Sequence, residues 1–450
     1  GGLDFAHLQT KRHRTLELMR WIHELGMQMY GLAIGLAASA GYTKAKAWKR
    51  MRLDSLDHIR TTTAAGRTWC WVHCASVGEF EQARPVMEAY REASPKASFL
   101  LTFFSPSGYE YFVKNQPSWW RVDDAMAAFP LDTRRSVSRF LKTLTREGES
   151  KPAVEWAAAV KYEVWPEWLR QLRAADVPCV LLAAHVIAGR WPFRIGGAWY
   201  RKAWRLFDAI WVQQPISVGI LQAFGIKAEI GGDPRFDRVF QAVEEAKKNP
   251  DQALDEWVKG RLCVVAGSAW GEEQEALQKS SWADGSCLII VPHEWSAASI
   301  QEQKSRWENL GKNVVIWSEY RAQDTMARLP EGDVMLVDAM GFLTRIYAVA
   351  DVAVVGGGFG AGIHNTLEPA AYGIPILTGP NIHRFAEAEA MRERGCLQTA
   401  STIDQLAREL EVVLCDRSVL TREGAVALAF AHENRGAGER LAQGLLNLRP

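Results

Sequence analysis

Absences narrow the field before any motif does. The 450 residues carry only seven cysteines and no C-x-x-C pair. That count suits neither a disulfide framework nor a zinc site. Cys70, Cys179, Cys263 and Cys287 lie inside apolar runs, where a small buried hydrophobe is the plain reading. A reducing compartment follows. Charge of one sign is also missing: 53 Lys+Arg against 52 Asp+Glu leave a net charge of +1, so no whole-chain attraction to nucleic acid exists. No H-E-x-x-H or comparable set supports a metal. No G-K-[ST] closes a glycine loop, which excludes a P-loop, and there is no short repeat or low-complexity segment. What is present is apolar material, 48% of residues against 23% charged, enough at this length for two domains.

Residues 25–43 (LGMQMYGLAIGLAASAGYT) hold no charge. The stretch barely reaches the length of a bilayer span, and Gly, Ala and Ser weaken its transfer energy. Lys11, Arg12, Arg14 and Arg20 precede it; Lys44, Lys46, Lys49, Arg50 and Arg52 follow. Three readings stay open. One is a weak anchor or interfacial helix against an anionic leaflet, with the main body in the cytoplasm. Another is a helix packed on the first domain. The third, a cleaved signal peptide, lacks a small-residue cleavage site followed by an extracellular-looking domain.

From Thr68 onward short apolar runs alternate with helix-period stretches. The pattern predicts strands at Trp69–Cys74, Ser98–Phe104, Val154–Val160, Cys179–Ala184 and Ala209–Val212. A second series follows at Arg261–Ala266, Cys287–Val291, Val314–Trp317, Val334–Leu336, Val352–Val355 and Ile374–Leu377. Val/Ile/Leu-rich strands each followed by a helix imply parallel sheets covered on both faces. Two such series, divided near Phe224–Asp233, predict two Rossmann-like α/β domains facing a cleft. Chemistry belongs just beyond the carboxyl ends of the strands.

The residues there are informative. After the first strand stands Ser76-Val77-Gly78-Glu79, a capping-box spacing; alternatively Gly78 lets a partner approach the backbone and Glu79 faces the cleft. Glu163-Val164-Trp165-Pro166 reads as a turn with proline at the first helical position, or as a ligand-facing carboxylate. Arg235, in a Gly-rich stretch, is a candidate for an anionic group or a surface arginine. Gly267-Ser268 opens a helix whose Glu272, Glu273 and Glu275 suit the helix dipole without any ligand. Pro292-His293 ends a further strand. Gly356–Gly362, between a buried strand and a helix, presents backbone N–H groups to an anion. Gly357 and Gly358 lie in that loop, Asn365 follows it, and Glu368 just inside the helix is placed to accept hydrogen bonds from a polyol. Phosphate or nucleotide binding is the expectation.

Taken jointly, WVHCASVGE (71–79), EVWP (163–166), GDPRFDR (232–238), VPHE (291–294) and VGGGFGAGIHNTLEP (355–369) resemble a 3-deoxy-D-manno-octulosonic acid (Kdo) transferase of lipopolysaccharide assembly. The resemblance implies a GT-B fold: an N-terminal membrane-associating segment (1–52), an acceptor domain (53–228) and a CMP-Kdo domain (229–450) whose final helix is a candidate to cross back. It implies transfer of Kdo from CMP-Kdo to a lipid A precursor, with inversion and no metal or other cofactor. The work would be done at the cytoplasmic face of the inner membrane, on an anionic surface and with no nucleic acid partner. By motif match Glu79 would be the catalytic base. Ser76, Gly78 and Glu163 would meet the sugar from the first domain. Arg235, Gly267, Ser268, Pro292, His293, Gly357, Gly358, Asn365 and Glu368 would surround the donor. Three positions depart from the family pattern: Gly358 where serine is common, Phe342 where glutamate is common, and Glu167 where asparagine is usual. The rival reading is another GT-B sugar-nucleotide enzyme, a UDP-sugar transferase or epimerase. A non-catalytic nucleotide-binding protein would keep the loop and lose the base.

Overall fold

The computed structural model describes residues 2–52, 56–194, 197–282, 285–322 and 332–448, with side chains described from residue 17. Lys11, Arg12 and Arg14, part of the expected basic flank, have side chains outside the described residues. The chain divides into two compact units, Gly1–Asp237 with Gly436–Pro450, and Arg238–Arg435.

The first unit holds a seven-stranded sheet: β1 Trp69–Cys74, β2 Ser98–Phe103, β3 Ala125–Ala128, β4 Val154–Val160, β5 Cys179–Ala184, β6 Ala209–Val212 and β7 Glu229–Ile230. All neighbours pair in parallel. β1 explains the near-continuous apolar run: every one of its residues is buried. Its side chains alternate between the two faces. Trp69 and Trp71 join Phe129, Phe140 and Trp168 on one side, while Cys70, Val72 and Cys74 join Phe80, Val86 and Tyr90 on the other. Pro106, Pro166 and Pro215 open their helices at the first turn, where the missing N–H has no partner to lose.

The second unit repeats the plan with β8 Leu262–Ala269, β9 Ser286–Pro292, β10 Val314–Ile316, β11 Val334–Leu336, β12 Val352–Val355, β13 Ile376–Thr378 and β14 Leu397–Thr399. Its order is β10-β11-β9-β8-β12-β13-β14, against β3-β2-β1-β4-β5-β6-β7 in the first unit. In the first sheet the order reverses between β1 and β4, and in the second the corresponding reversal lies between β8 and β12, with β10 and β11 exchanged at one edge. Such a reversal opens a crevice at the strands' carboxyl ends.

Residues 229–237, assigned from sequence to the second domain, pack with the first unit. The amides of Gly231 and Gly232 both donate to Val212 O, at 2.9 and 3.1 Å. The helix Ala437–Leu446 returns to the same unit and places Leu441, Ala442 and Leu445 in the Phe80–Tyr90 cluster. Asp237 ties the two crossings together: its carboxylate accepts from Gly436 N at 2.6 Å and Gly438 N at 2.8 Å.

The N-terminal segment is a helix, Gly2–Ser39. Among the described residues no helix is long and apolar enough to cross a membrane, so the spanning form of the anchor expectation is not met. One side of this helix docks on the first unit. His23 Nε2 lies 2.7 Å from Asp132 Oδ2, and Arg20 Nη2 lies 3.2 Å from Glu167 Oε2. Glu167, one of the three residues that depart from the family pattern, also accepts from Arg170 at 2.8 Å. The opposite side exposes Leu18, Ile22, Leu25, Met29, Leu32 and Leu36, a 4-3-4-3-4 spacing that makes one continuous apolar stripe.

Candidate active site

Both reversal points carry the residues singled out from the sequence, and both carry backbone strain. Lys161 at the end of β4 has φ 63°, and Ser268 within β8 has φ 52°. Non-glycine residues in this left-handed region cost free energy and cluster at functional sites.

In the first unit, Ser76, Gly78 and Glu79 follow β1 and Glu163 follows β4. The capping box exists: Glu79 Oε2 accepts from Ser76 N at 2.8 Å and from Ser76 Oγ at 3.1 Å. The same carboxyl is nonetheless pushed up to about 7, first by burial and then by the neighbouring Glu163 charge, against the two Ser76 hydrogen bonds. A carboxylate with that affinity for protons is a competent base near neutral pH, so the cap and the base can be one group. Burial pushes the adjacent Cys74 thiol well up, with Glu79 and Glu163 adding to it. Glu163 Oε2 accepts from Trp165 Nε1 at 2.7 Å. An added Cβ at Gly78 would meet no atom within 4 Å, so nothing inside the protein demands glycine there.

In the second unit, Gly267 and Ser268 lie near the end of β8, Pro292 and His293 at the end of β9, and the glycine loop follows β12. The pairing register of β8 slips between Gly267 and Ala269, which turns the strand aside at Ser268. A Cβ on Gly267 would lie 2.1 Å from Tyr347 Oη, one on Gly356 2.1 Å from Ser268 O, and one on Gly358 2.4 Å from Gly379 N. Gly356 and Gly358 are required by close backbone packing, and Gly267 by the Tyr347 side chain lying against it. At Gly358, serine would need the β13 end to move.

The loop's amides differ from the expectation. Gly360 N and Gly362 N donate to Gly357 O, at 3.1 and 3.2 Å, and His364 N donates to Gly356 O at 3.1 Å. Gly357 N donates to Glu273 Oε1 at 3.0 Å. Those four amides are engaged within the protein. Glu273 is the residue that sequence reasoning passed over as a helix-dipole acid. It is fully buried, takes Trp270 N at 3.0 Å as well, and burial holds its carboxyl above the usual range.

Glu368 is half-buried and accepts from Thr344 Oγ1 and Asn365 Nδ2, both at 2.9 Å. Burial raises its carboxyl, while these two bonds and Arg238 oppose the rise. Asn365 Oδ1 accepts from Leu367 N at 3.0 Å, which opens the following helix. His293 stacks against both Trp270 and His364, with ring centroids 4.5 and 4.3 Å away. Trp270 Nε1 lies 3.0 Å from His364 Nε2. An indole N–H only donates, so His364 Nε2 is the acceptor and its ring is neutral. Burial, followed by His293, lowers its proton affinity.

Arg235 belongs to the first unit. Its Nε and Nη2 donate to Asp233 Oδ2 at 2.8 and 2.6 Å. Among the described residues no cluster of three or more His, Cys, Asp or Glu could hold a metal ion.

Comparison with known proteins fits this geometry. The family model for 3-deoxy-D-manno-octulosonic-acid transferase (kdotransferase) matches residues 46–238. The 3-deoxy-D-manno-octulosonic acid transferase of Haemophilus influenzae is 27% identical over 383 residues, 82% of this chain and 85% of that protein. The enzyme of the same name from Aquifex aeolicus is 30% identical over 331 residues, 72% and 79% of the two chains. Among solved structures, UDP-GlcNAc 2-epimerase from Neisseria meningitidis bound to UDP-GlcNAc superposes with a TM-score of 0.61 at 12% identity, over 84% of this chain and all of that one. At that identity the likeness concerns the GT-B-type fold alone. The chain belongs to the family of 3-deoxy-D-manno-octulosonic acid transferases, glycosyltransferases of lipopolysaccharide biosynthesis.

Proposed function

We propose that the chain transfers Kdo from CMP-Kdo to a hydroxyl of a lipid A precursor, with inversion and without a metal. The observation that carries this reading is the Glu79 carboxyl at the β1/β4 reversal, poised near neutrality beside Glu163. In a single displacement the acceptor oxygen bonds to the anomeric carbon as the bond to the CMP phosphate breaks. The acceptor proton passes to Glu79, and the electron pair leaves on the phosphate. CMP departs as an anion and needs little acid help, so donors around it suffice. Ser76, Gly78 and Glu163 meet the sugar. Gly267, Ser268, Pro292, His293, Gly357, Gly358, Asn365 and Glu368 hold the donor, and Arg235 serves its charge after exchanging Asp233 for it.

The donor assignment is tested by calorimetry with CMP, UDP and UMP. Glu368→Ala should weaken CMP binding by about 1–3 kcal/mol, the scale of a lost charge-assisted hydrogen bond. Gly357→Val should weaken it too, because φ there is +89° and the new Cβ would lie 2.5 Å from Gly362 O. Unchanged CMP affinity in both variants, or preference for UDP, defeats the assignment. Full transfer in excess chelator is the expected result for a metal-free reaction.

The apolar stripe of the N-terminal helix, bordered by Lys44, Lys46, Lys49 and Arg50, supports a seat on an anionic membrane surface, which we assign to the cytoplasmic face of the inner membrane. Replacing Leu25, Met29, Leu32 and Leu36 with serine leaves the docked side intact. This variant should bind phosphatidylglycerol-containing vesicles at least about tenfold more weakly, each buried side chain contributing on the order of 1.5–3 kcal/mol at full burial. Equal flotation of the variant and the parent protein would count against the seat.

A further inference from the structure

His73 sits in β1, six residues before Glu79, and is fully buried. Its ring is fixed on all sides. It stacks on Phe129 at 3.7 Å between centroids, and Trp165 and Trp168 present their edges at 6.3 and 6.2 Å. Nδ1 lies 3.1 Å from Thr102 O and 3.2 Å from Thr102 Oγ1. Nε2 makes no hydrogen bond, and the atom of opposite character beside it is Glu163 Oε2 at 3.4 Å, ion-pair distance.

Partner chemistry limits where the protons are. A carbonyl oxygen only accepts, so the contact with Thr102 O calls for a proton on Nδ1. Nε2 and the Glu163 carboxylate would then be two acceptors face to face, which is unfavourable in a buried setting. The conflict is relieved when a proton lies between them, carried by the imidazole or by Glu163. In the other tautomer Nε2–H faces Glu163 and Nδ1 can accept from the Thr102 hydroxyl, at the expense of setting Nδ1 as an acceptor beside Thr102 O. Every satisfied arrangement puts one proton on this edge. An isolated core histidine does not need a carboxylate at that place; an oriented carboxylate needs a donor there, since Trp165 Nε1 is the other group on the same oxygen.

We infer that His73 is a positioning residue, holding the Glu163 carboxyl through the close Nε2–Oε2 contact, with one proton on that edge, so that Glu163 keeps one orientation toward the sugar. The inference rests on the reading that Glu163 meets the sugar. It extends that reading to a residue that touches no substrate.

Two substitutions separate the two ring nitrogens. In His73→Asn the side-chain amide can replace Nδ1 toward Thr102 but cannot reach Glu163. In His73→Gln the longer amide can replace Nε2. The test measures steady-state transfer, CMP affinity and thermal stability for both variants, for Glu163→Gln, and for His73→Asn with Glu163→Gln. His73→Asn should lower kcat by at least about tenfold with CMP affinity unchanged, and His73→Gln should recover turnover to within about fivefold of the parent. The double variant should be no slower than Glu163→Gln alone, because the histidine acts only through that carboxyl. Normal turnover of His73→Asn beside an impaired Glu163→Gln overturns the inference and leaves Glu163 in place. Normal turnover of Glu163→Gln defeats the underlying reading, and the inference with it. Should His73→Asn fail to fold, His73→Gln decides alone: a hundredfold loss of kcat in folded protein overturns the inference.

Discussion

Glu79→Gln is expected to lower Kdo transfer by at least about a hundredfold, the usual scale for a general base, while CMP affinity stays the same. The side chain is nearly isosteric, and its amide oxygen can still accept from Ser76 N, so the cap survives. A group that only capped the helix would leave turnover almost intact. In the parent protein transfer should rise with pH through about 7, where the Glu79 carboxyl loses its proton. That limb should vanish in the variant. Stability moves the other way. The folded protein holds this proton more tightly than the unfolded chain, so the contribution is full below the ordinary carboxylate range and is lost as pH rises to about 7. Glu79→Gln should therefore melt no lower than the parent at pH 8, where the parent carries a buried, ionised carboxylate next to Glu163. Near-normal transfer, or a melting temperature several degrees lower at pH 8, would sink the assignment.

Asp124→Ala is expected to cost about 3–5 kcal/mol of stability in the first unit, the scale of a buried ion pair broken on one side. Arg91 and Asp124 are both buried, with Arg91 Nη2 at 2.6 and 2.7 Å from the two carboxylate oxygens. Asp124 also accepts from Phe99 N and Arg121 N, each at 2.8 Å. Removing it strands a guanidinium left with one hydrogen bond, to Ala97 O at 2.9 Å, and the face of the Phe99 ring, and leaves two amides without that acceptor. At about 2–4 °C per kcal/mol for a unit of this size, a melting point lower by about 6–20 °C should appear in calorimetry. A change under 2 °C would mean that water reaches the pair and replaces the carboxylate.

Much of the architecture was legible in the sequence because parallel strands covered on both faces must be apolar along their whole length. β1, β4, β5, β6, β11 and β12 stand where the Val-, Trp- and Leu-rich runs put them. Three strands left no such trace. β3 is Ala-Met-Ala-Ala, without a β-branched residue; β7 is two exposed residues; β14 is Leu-Gln-Thr. The sheet neighbours set those pairings, and local composition does not. The site shows the same division. Glu79 and Glu163 were legible because both follow strands, and the strand order brings β1 beside β4 although 79 and 163 are far apart along the chain. Glu273 was not. Its carboxylate reaches Gly357, 84 residues away, only because β8 and β12 are neighbours, and a first-turn acid offers no sign of that reach. The glycine loop was identified correctly as unusual, but its glycines answer to backbone crowding at Ser268 O, Gly362 O and Gly379 N.

The Asp237 carboxylate, holding the amides of Gly436 and Gly438, has a bearing on how such enzymes can be recombined. Arg238–Arg435 is one uninterrupted stretch of chain whose two ends leave and re-enter the first unit at a single tied point. It has the form of a cassette carried by a host. A host cut at residue 237 would lose the helix Ala437–Leu446 and open the cluster that Leu441 and Leu445 complete. A host whose cassette is exchanged between residues 237 and 436 would keep that helix, the tie and Glu79, and on the proposed donor assignment would take its donor preference from the incoming stretch.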